Sequence, residues 1–416
     1  MKKLFSILIA ILSLSLEGRA GEGFYPSFRG AWIATVANID WPSAEAVGND
    51  SLQKTEMIWL LDSLESIGIN AVIFQVRPTA DALYKSEYEP TSHWLMGKQG
   101  AALTWDPLEW TIEQAHQRGM EVHVWLNPYR VNLAKTDTSE ICAEHIWRKH
   151  PEWFWEYNKQ WYFDPGLEIT REWICTIVAD IVDRYDIQAI HMDDYFYPYP
   201  VGKLPLPDEA TFVMHSRGFD DIREWRRDNV NLAIQEISEA IRECKDSVEF
   251  GISPFGVWRN ASVDSTGSAT QAGITNYDDL YADIRLWIQK GWIDYVLPQL
   301  YWEIGKKVAD YEILAHWWAN EVKGTNCKLY IGMAPYKLEG AKKGSAWGQG
   351  NEISRQMRLN RTIPEISGEC FYSTRPLLRN PRGVCDSIKA IYGSEKADVQ
   401  VVDTIPQINP LILPWE

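Results

Sequence analysis

Hydrophobic positions along the chain alternate between two periods. Short apolar runs read as strands, and each is followed by a longer segment in which apolar residues return every three or four positions, as in a helix buried on one face. FRGAWIATVANIDWP at 28–42 predicts a first strand with a turn at its end. INAVIFQVRP (69–78), EVHVWLNP (121–128), IQAIHM (187–192), VEFGISP (248–254), IDYVLPQLYW (293–302), KLYIGMAP (328–335) and ECFYS (369–373) predict further strands. Helical periodicity covers 52–66, 108–118, 170–184, 219–244, 277–290, 307–322 and 351–360, with a last helix at 382–392. About eight strand and helix pairs in succession predict an α/β protein, a closed (β/α)8 TIM barrel.

Gly68, Gly119 and Gly291 stand just ahead of strands, where a helix C-cap is expected. The other face therefore carries the long connections, 77–106, 129–168, 194–218, 255–276 and 336–350. These gather at the C-terminal ends of the strands, where barrel enzymes build their sites. Strand alternation then sorts side chains between the axis and the helices. Gln75 and Arg77 are expected to point inward, as are His123, Trp125 and Asn127, then His191 and Asp193, and then Leu297, Gln299, Tyr301 and Glu303.

The stretch IQAIHMDDYFYPYP (187–200) stands out, because a short buried strand ends in adjacent carboxylates and an aromatic loop. Carboxylates supply the acid, base or nucleophile of glycoside cleavage, and aromatic rings stack on sugar faces. An ionised Asp193 at the end of a buried strand is costly unless it is paired or functional. Asp194 is either a brace for the loop or a second catalyst. Other residues have structural readings beside functional ones. His191 and His123 fit a hydrogen-bonded interior, Arg77 an ion pair with Asp81 or Asp193, Trp125 barrel filling, and Tyr197 and Trp258 loop packing.

Composition and charge narrow the partners. Across 416 residues there are 21 Trp and 19 Tyr, a surplus that suits stacking on sugars. The net charge of −16 argues against nucleic acid or an anionic membrane surface and leaves neutral or amino-sugar polymers. The basic Met1-Lys2-Lys3, the apolar run 4–16 and the small Ala20 predict a signal peptide over 1–20, and hence an exported, periplasmic or extracellular enzyme with no membrane span after cleavage. The catalytic domain is expected over 21–396, and the Pro-rich, apolar 397–416 as a tail packed on the barrel. The six cysteines are widely spread without a CxxC pair, so no metal site or cofactor is expected from them.

FRGAWIATVANIDWP, QVRPTADALYKSEYEP, WDPLEWTIEQAHQRGMEVHVWLNPYRV, IHMDDYFYP, ISPFGVWRN and GWIDYVLPQLYWEIG together resemble the glycosyl-hydrolase-like 10 family of bacterial barrel proteins, over about residues 28–392. The resemblance implies a (β/α)8 glycoside hydrolase of the cell envelope. Some members are linked to cleavage of peptidoglycan glycan strands stripped of peptide stems. One departure is PTSHW at 90–94, where relatives tend to carry Trp after the proline, a change that bears on specificity if that loop meets substrate.

Glycoside hydrolysis generally needs two carboxyl groups across the scissile bond. The first arrangement pairs Asp193, as nucleophile or stabiliser, with Glu303 as general acid/base, since the seventh strand ends GMAPY without a carboxylate. The second suits an N-acetylated sugar and substrate-assisted cleavage, with Asp193 and Asp194 dividing the work. Substrate-binding roles are expected for Gln75, Arg77, Asn127, Tyr129, His191, Tyr195, Tyr197, Phe255, Trp258, Gln299, Tyr301 and Trp302. The alternatives are a non-catalytic glycan-binding barrel, an α-glucan glycosidase, and a metal site at His191, Asp193 and Asp194, which lacks further histidines nearby.

Overall fold

The computed structural model describes residues 27–133 and 138–402, with side chains to 394. The expected signal peptide and the end of the expected tail lie outside the described residues. Among the described residues ten strands form: β1 (Phe28–Ile33), β2 (Ala71–Arg77), β3 (Glu121–Leu126), β4 (Phe154–Tyr157), β5 (Gln160–Phe163), β6 (Ala189–Met192), β7 (Glu249–Ile252), β8 (Tyr295–Val296), β9 (Lys328–Met333) and β10 (Ile366–Phe371). Eight of them close a parallel barrel in the order β1-β2-β3-β6-β7-β8-β9-β10, and β4 and β5 form a separate antiparallel hairpin. The (β/α)8 expectation holds.

Local chemistry explains the element ends. Helix Asp50–Ser66 begins where the Asn49 side chain accepts from the Leu52 N–H, and helix Pro107–His116 begins with a proline behind the Asp106 cap. Gly291 ends helix Ile284–Lys290 with φ 65°, a left-handed position without penalty for glycine. The sixth predicted strand shrinks to Tyr295–Val296, because Pro298 has no N–H to donate to a neighbour. Gln299 rejoins the sheet through bridges to Phe255 and Gly332. The predicted helix 277–290 is broken into Asn276–Asp279 and Ile284–Lys290, with Tyr281 at φ 55° between them. The last helix runs further than expected, Val384–Val402, and so takes in the first residues of the expected tail.

Alternation delivers the two-layer core the pattern called for. Val72, Phe74, Val76, Val122, Val124, Leu126, Ile190 and Met192 are buried between barrel and helices. Phe28, Trp32, Ile73, Trp125, Tyr295, Leu297 and Tyr330 fill the axis. Such an interior is a packed plug rather than a pore, so ligands meet the barrel at its mouth.

Candidate active site

At the C-terminal mouth the side chains that alternate inward leave a cavity of about 220 Å³. Trp32 from β1, Trp125 from β3, Asp193, Asp194 and Tyr195 just after β6, Ser253 after β7, Gln299 and Tyr301 after β8, and Tyr372 after β10 form its wall. Carboxylates thus face a ring of aromatic surfaces, as a sugar site requires. A larger cavity of about 520 Å³ lies by His93, Lys98, Asn132 and Cys142. It takes in His93 of the PTSHW loop, and among the described residues Glu140 is the one carboxylate on its wall.

Asp193 is held by donors. Asn127 Nδ2 donates to both of its oxygens at 3.2 and 3.4 Å, and Trp125 Nε1 donates to Oδ2 at 3.3 Å. The Asn127 amide cannot turn round, because its own oxygen accepts from the Arg130 backbone N–H at 2.9 Å. Burial raises the Asp193 pKa, while Arg130 and these donors pull it back. Asp194 has weaker support. Burial and the neighbouring Asp193 charge push its carboxyl up to about 7, against the opposing pull of the Tyr199 hydroxyl and the Gln299 amide. The Tyr199 hydroxyl donates to Asp194 Oδ2, and the Tyr199 ring lies edge-on to Tyr195. Two adjacent carboxyls in unequal surroundings divide naturally into an ionised group and a proton carrier.

Glu303 lies outside the wall of this cavity. It accepts from Lys306 Nζ at 3.1 Å and from Trp347 Nε1 at 2.9 Å. Burial would raise its pKa, but its own backbone N–H, Lys306 and Trp347 outweigh that and hold it below the usual glutamate value. The alternation that carries Gln299 and Tyr301 to the cavity does not carry Glu303 there.

The other predicted residues divide into two groups. Tyr195, Gln299 and Tyr301 line the cavity, Asn127 bonds Asp193, and His191 lies beneath the floor, fully buried and bonded to Ser253 Oγ at 3.1 Å. Phe255 and Trp302 are absent from the cavity wall and pack on each other, their rings edge-on at 5.4 Å and 83°, with Tyr199 edge-on to Phe255. The remainder are committed elsewhere. Gln75 Oε1 accepts from the Thr35 and Val36 N–H groups. Arg77 pairs with Glu89 rather than with Asp81 or Asp193, and it also donates to the carbonyls of Asn127 and Pro128. Tyr129 packs on Phe163, Tyr197 accepts from Asn229 under helix Ile222–Cys244, and Trp258 stacks on Trp317.

Trp32, Ser253 and Tyr372 line the cavity without having been singled out by the sequence. Among the described residues no group of three His, Cys, Asp or Glu side chains is arranged to hold a metal ion, and the six cysteines are unpaired. No helix there is long and apolar enough to cross a membrane.

Residues 27–348 match the glycosyl hydrolase-like 10 family. The chain is 44% identical over 413 residues to Glycosyl hydrolase YngK of Bacillus subtilis (strain 168), spanning 99% of this chain and 78% of that protein. It is 39% identical over 362 residues to Glycosyl hydrolase DigH of Escherichia coli (strain K12), spanning 83% of this chain and 82% of that protein. The solved glycoside hydrolase domain of PgaB (BpsB) from Bordetella bronchiseptica shares the fold, with TM-score 0.55 at 10% identity over 88% of this chain and 98% of that one. The ordered motifs, the barrel and these matches agree: the chain belongs to the glycosyl hydrolase-like 10 family and is a glycoside hydrolase.

Proposed function

We propose that the enzyme is exported and cleaves peptidoglycan glycan strands by a substrate-assisted route, with Asp193 and Asp194 as its pair. The observation that carries the mechanism is that both carboxyls line one cavity, Asp194 with a pKa near 7, whereas Glu303 stays ionised outside it. Asp194 gives its proton to the glycosidic oxygen as the bond from C1 to that oxygen breaks. The acetamido oxygen of the same sugar attacks C1, and ionised Asp193 accepts the acetamido N–H and steadies the positive charge that develops. Water then opens the cyclic intermediate and returns a proton to Asp194. The rings of Trp32, Tyr195, Tyr301 and Tyr372 supply stacking surfaces around the sugar. The family resemblance and the amino-sugar chemistry support the substrate, and the N-terminal Lys2-Lys3 with its apolar run supports export.

The test incubates purified enzyme with intact peptidoglycan, stem-free glycan strands, and α- and β-glucans, reading products by mass and anomeric configuration by NMR. The expected result is cleavage of the N-acetylated strands with retained configuration. Cleavage of glucans alone overturns the substrate, and inverted products overturn the route.

A further inference from the structure

A chain of hydrogen bonds runs along the barrel axis from its lower end to the floor of the cavity. Glu121 Oε2 lies 3.3 Å from His123 Nε2, and His123 Nδ1 lies 2.9 Å from the Tyr295 hydroxyl. That hydroxyl is also 2.9 Å from His191 Nδ1. His191 Nε2 meets Ser253 Oγ at 3.1 Å and Trp32 Nε1 at 3.3 Å. The Tyr295 ring can cross the axis because β7 carries Gly251 beneath it, where a Cβ would come within 1.8 Å of the ring.

The direction of this chain is set from both ends. The Trp32 indole can only donate, so His191 Nε2 must be an acceptor. Burial and the nearby His123 hold the His191 pKa well below its ordinary value, so the ring is neutral and its proton sits on Nδ1. His191 then donates to the Tyr295 oxygen, Tyr295 donates to His123 Nδ1, and His123 Nε2–H donates to Glu121. The Glu121 carboxylate can only accept, which closes the chain in the same sense. A Ser253 hydroxyl hydrogen turned away from His191 would leave lone pairs facing each other at 3.1 Å, so that hydrogen points at Nε2.

From this polarity we infer that Ser253 presents only acceptor lone pairs to the cavity, and is the specificity residue that takes a hydroxyl donor from the sugar beside Asp193 and Asp194. Among the described residues no other hydrogen bond uses Ser253 Oγ, and the residue lines the cavity wall. His191 and Tyr295 are positioning residues that act through it. The inference rests on the glycosidase reading of this cavity, and it adds a recognition rule to the acid and base pair.

Two measurements test it. Nitrogen-15 NMR of the histidines should find the His191 proton on Nδ1 in the wild-type enzyme, and a proton on Nε2 overturns the inference. Ser253→Ala should lower kcat/KM on stem-free strands about tenfold, and Ser253→Thr, which keeps the hydroxyl, should recover most of that. Tyr295→Phe, checked for folding by the same spectrum, should cost a similar factor and add little in the Ser253→Ala background. Losses that multiply, or a Ser253→Ala enzyme as active as wild type, overturn the inference while leaving the glycosidase reading intact. Strands lacking one sugar hydroxyl at a time identify the donor, as the missing group abolishes the effect of Ser253→Ala, and an effect that survives every such deletion overturns the inference. A wild-type enzyme inactive on every glycan overturns the glycosidase reading itself, and with it the recognition role of Ser253.

Discussion

Both ends of the barrel axis carry carboxylates, and they are treated in opposite ways. At the lower end Glu121 meets His123, and Glu249 meets Lys328. The Glu121 carboxyl is held below its ordinary pKa, chiefly by the His123 hydrogen bond. At the upper end Asp193 and Asp194 lie side by side with no cation within salt-bridge distance among the described residues, and both are raised. Deeper in the protein, Glu89, Asp208 and Glu369 each have an arginine, Arg77, Arg226 and Arg361. The contrast teaches that carboxylates elsewhere in this fold are matched with cations, whereas the adjacent pair at the mouth is not, which is why a chemical role is proposed for it. Asp40 marks the boundary of that rule. It is buried without an arginine partner and raised to about 6, but the Ala34 and Arg375 backbone N–H groups and the Ser373 hydroxyl satisfy it away from the cavity wall.

The contrast breaks most visibly at Asp193. Asp193→Asn should reduce kcat by about 10²–10⁴-fold with an unchanged circular dichroism spectrum; a mild loss would make the unpaired carboxylate structural. Next comes the paired side. Arg77→Met leaves buried Glu89 without its cation and with the Trp173 indole still donating to it, so chemical denaturation should show a loss of about 3–5 kcal/mol, while the folded fraction turns over normally.

The raised pair also has its own pH signature. A carboxyl with a folded pKa above its unfolded value binds more protons in the native state, so stability falls as pH rises between the two. For Asp194 that window runs from about 4, the ordinary aspartate value, to about 7, and the loss is on the order of a few kcal/mol. Asp194→Asn should flatten this part of the curve and raise the Tm at pH 8, and an unaltered curve would remove the unusual pKa from the account. At the lower end Glu121→Gln should change stability by no more than about 1 kcal/mol, with turnover unaffected, because the Glu121 side chain is itself exposed and the amide oxygen still accepts from His123.

The barrel was readable because eight apolar runs alternate with helical segments, and the inward set on four strands followed from parity alone. The same rule, applied to the other strands, reaches the residues it missed: Trp32 shares parity with Phe28, Ser253 with Gly251, and Tyr372 with Cys370. The hairpin of β4 and β5 had a signal too, aromatic runs flanking Asn158 and Lys159, both at positive φ. What was not readable is where a polar or aromatic side chain turns once it leaves the strand. Arg77 finds Glu89 on the following loop, Tyr129 packs on Phe163 of the hairpin, Tyr197 turns under helix Ile222–Cys244, and Glu303 turns to Trp347. Each outcome depends on a partner that local alternation does not describe.

The proposed second catalytic carboxyl is Asp194 rather than Glu303. The most direct measurement compares kcat/KM of Asp194→Asn and Glu303→Gln on the same stem-free glycan strands. The expected loss is about 10²–10⁴-fold for Asp194→Asn and less than about fivefold for Glu303→Gln. The reverse order, with Glu303→Gln nearly inactive and Asp194→Asn close to wild type, would contradict it.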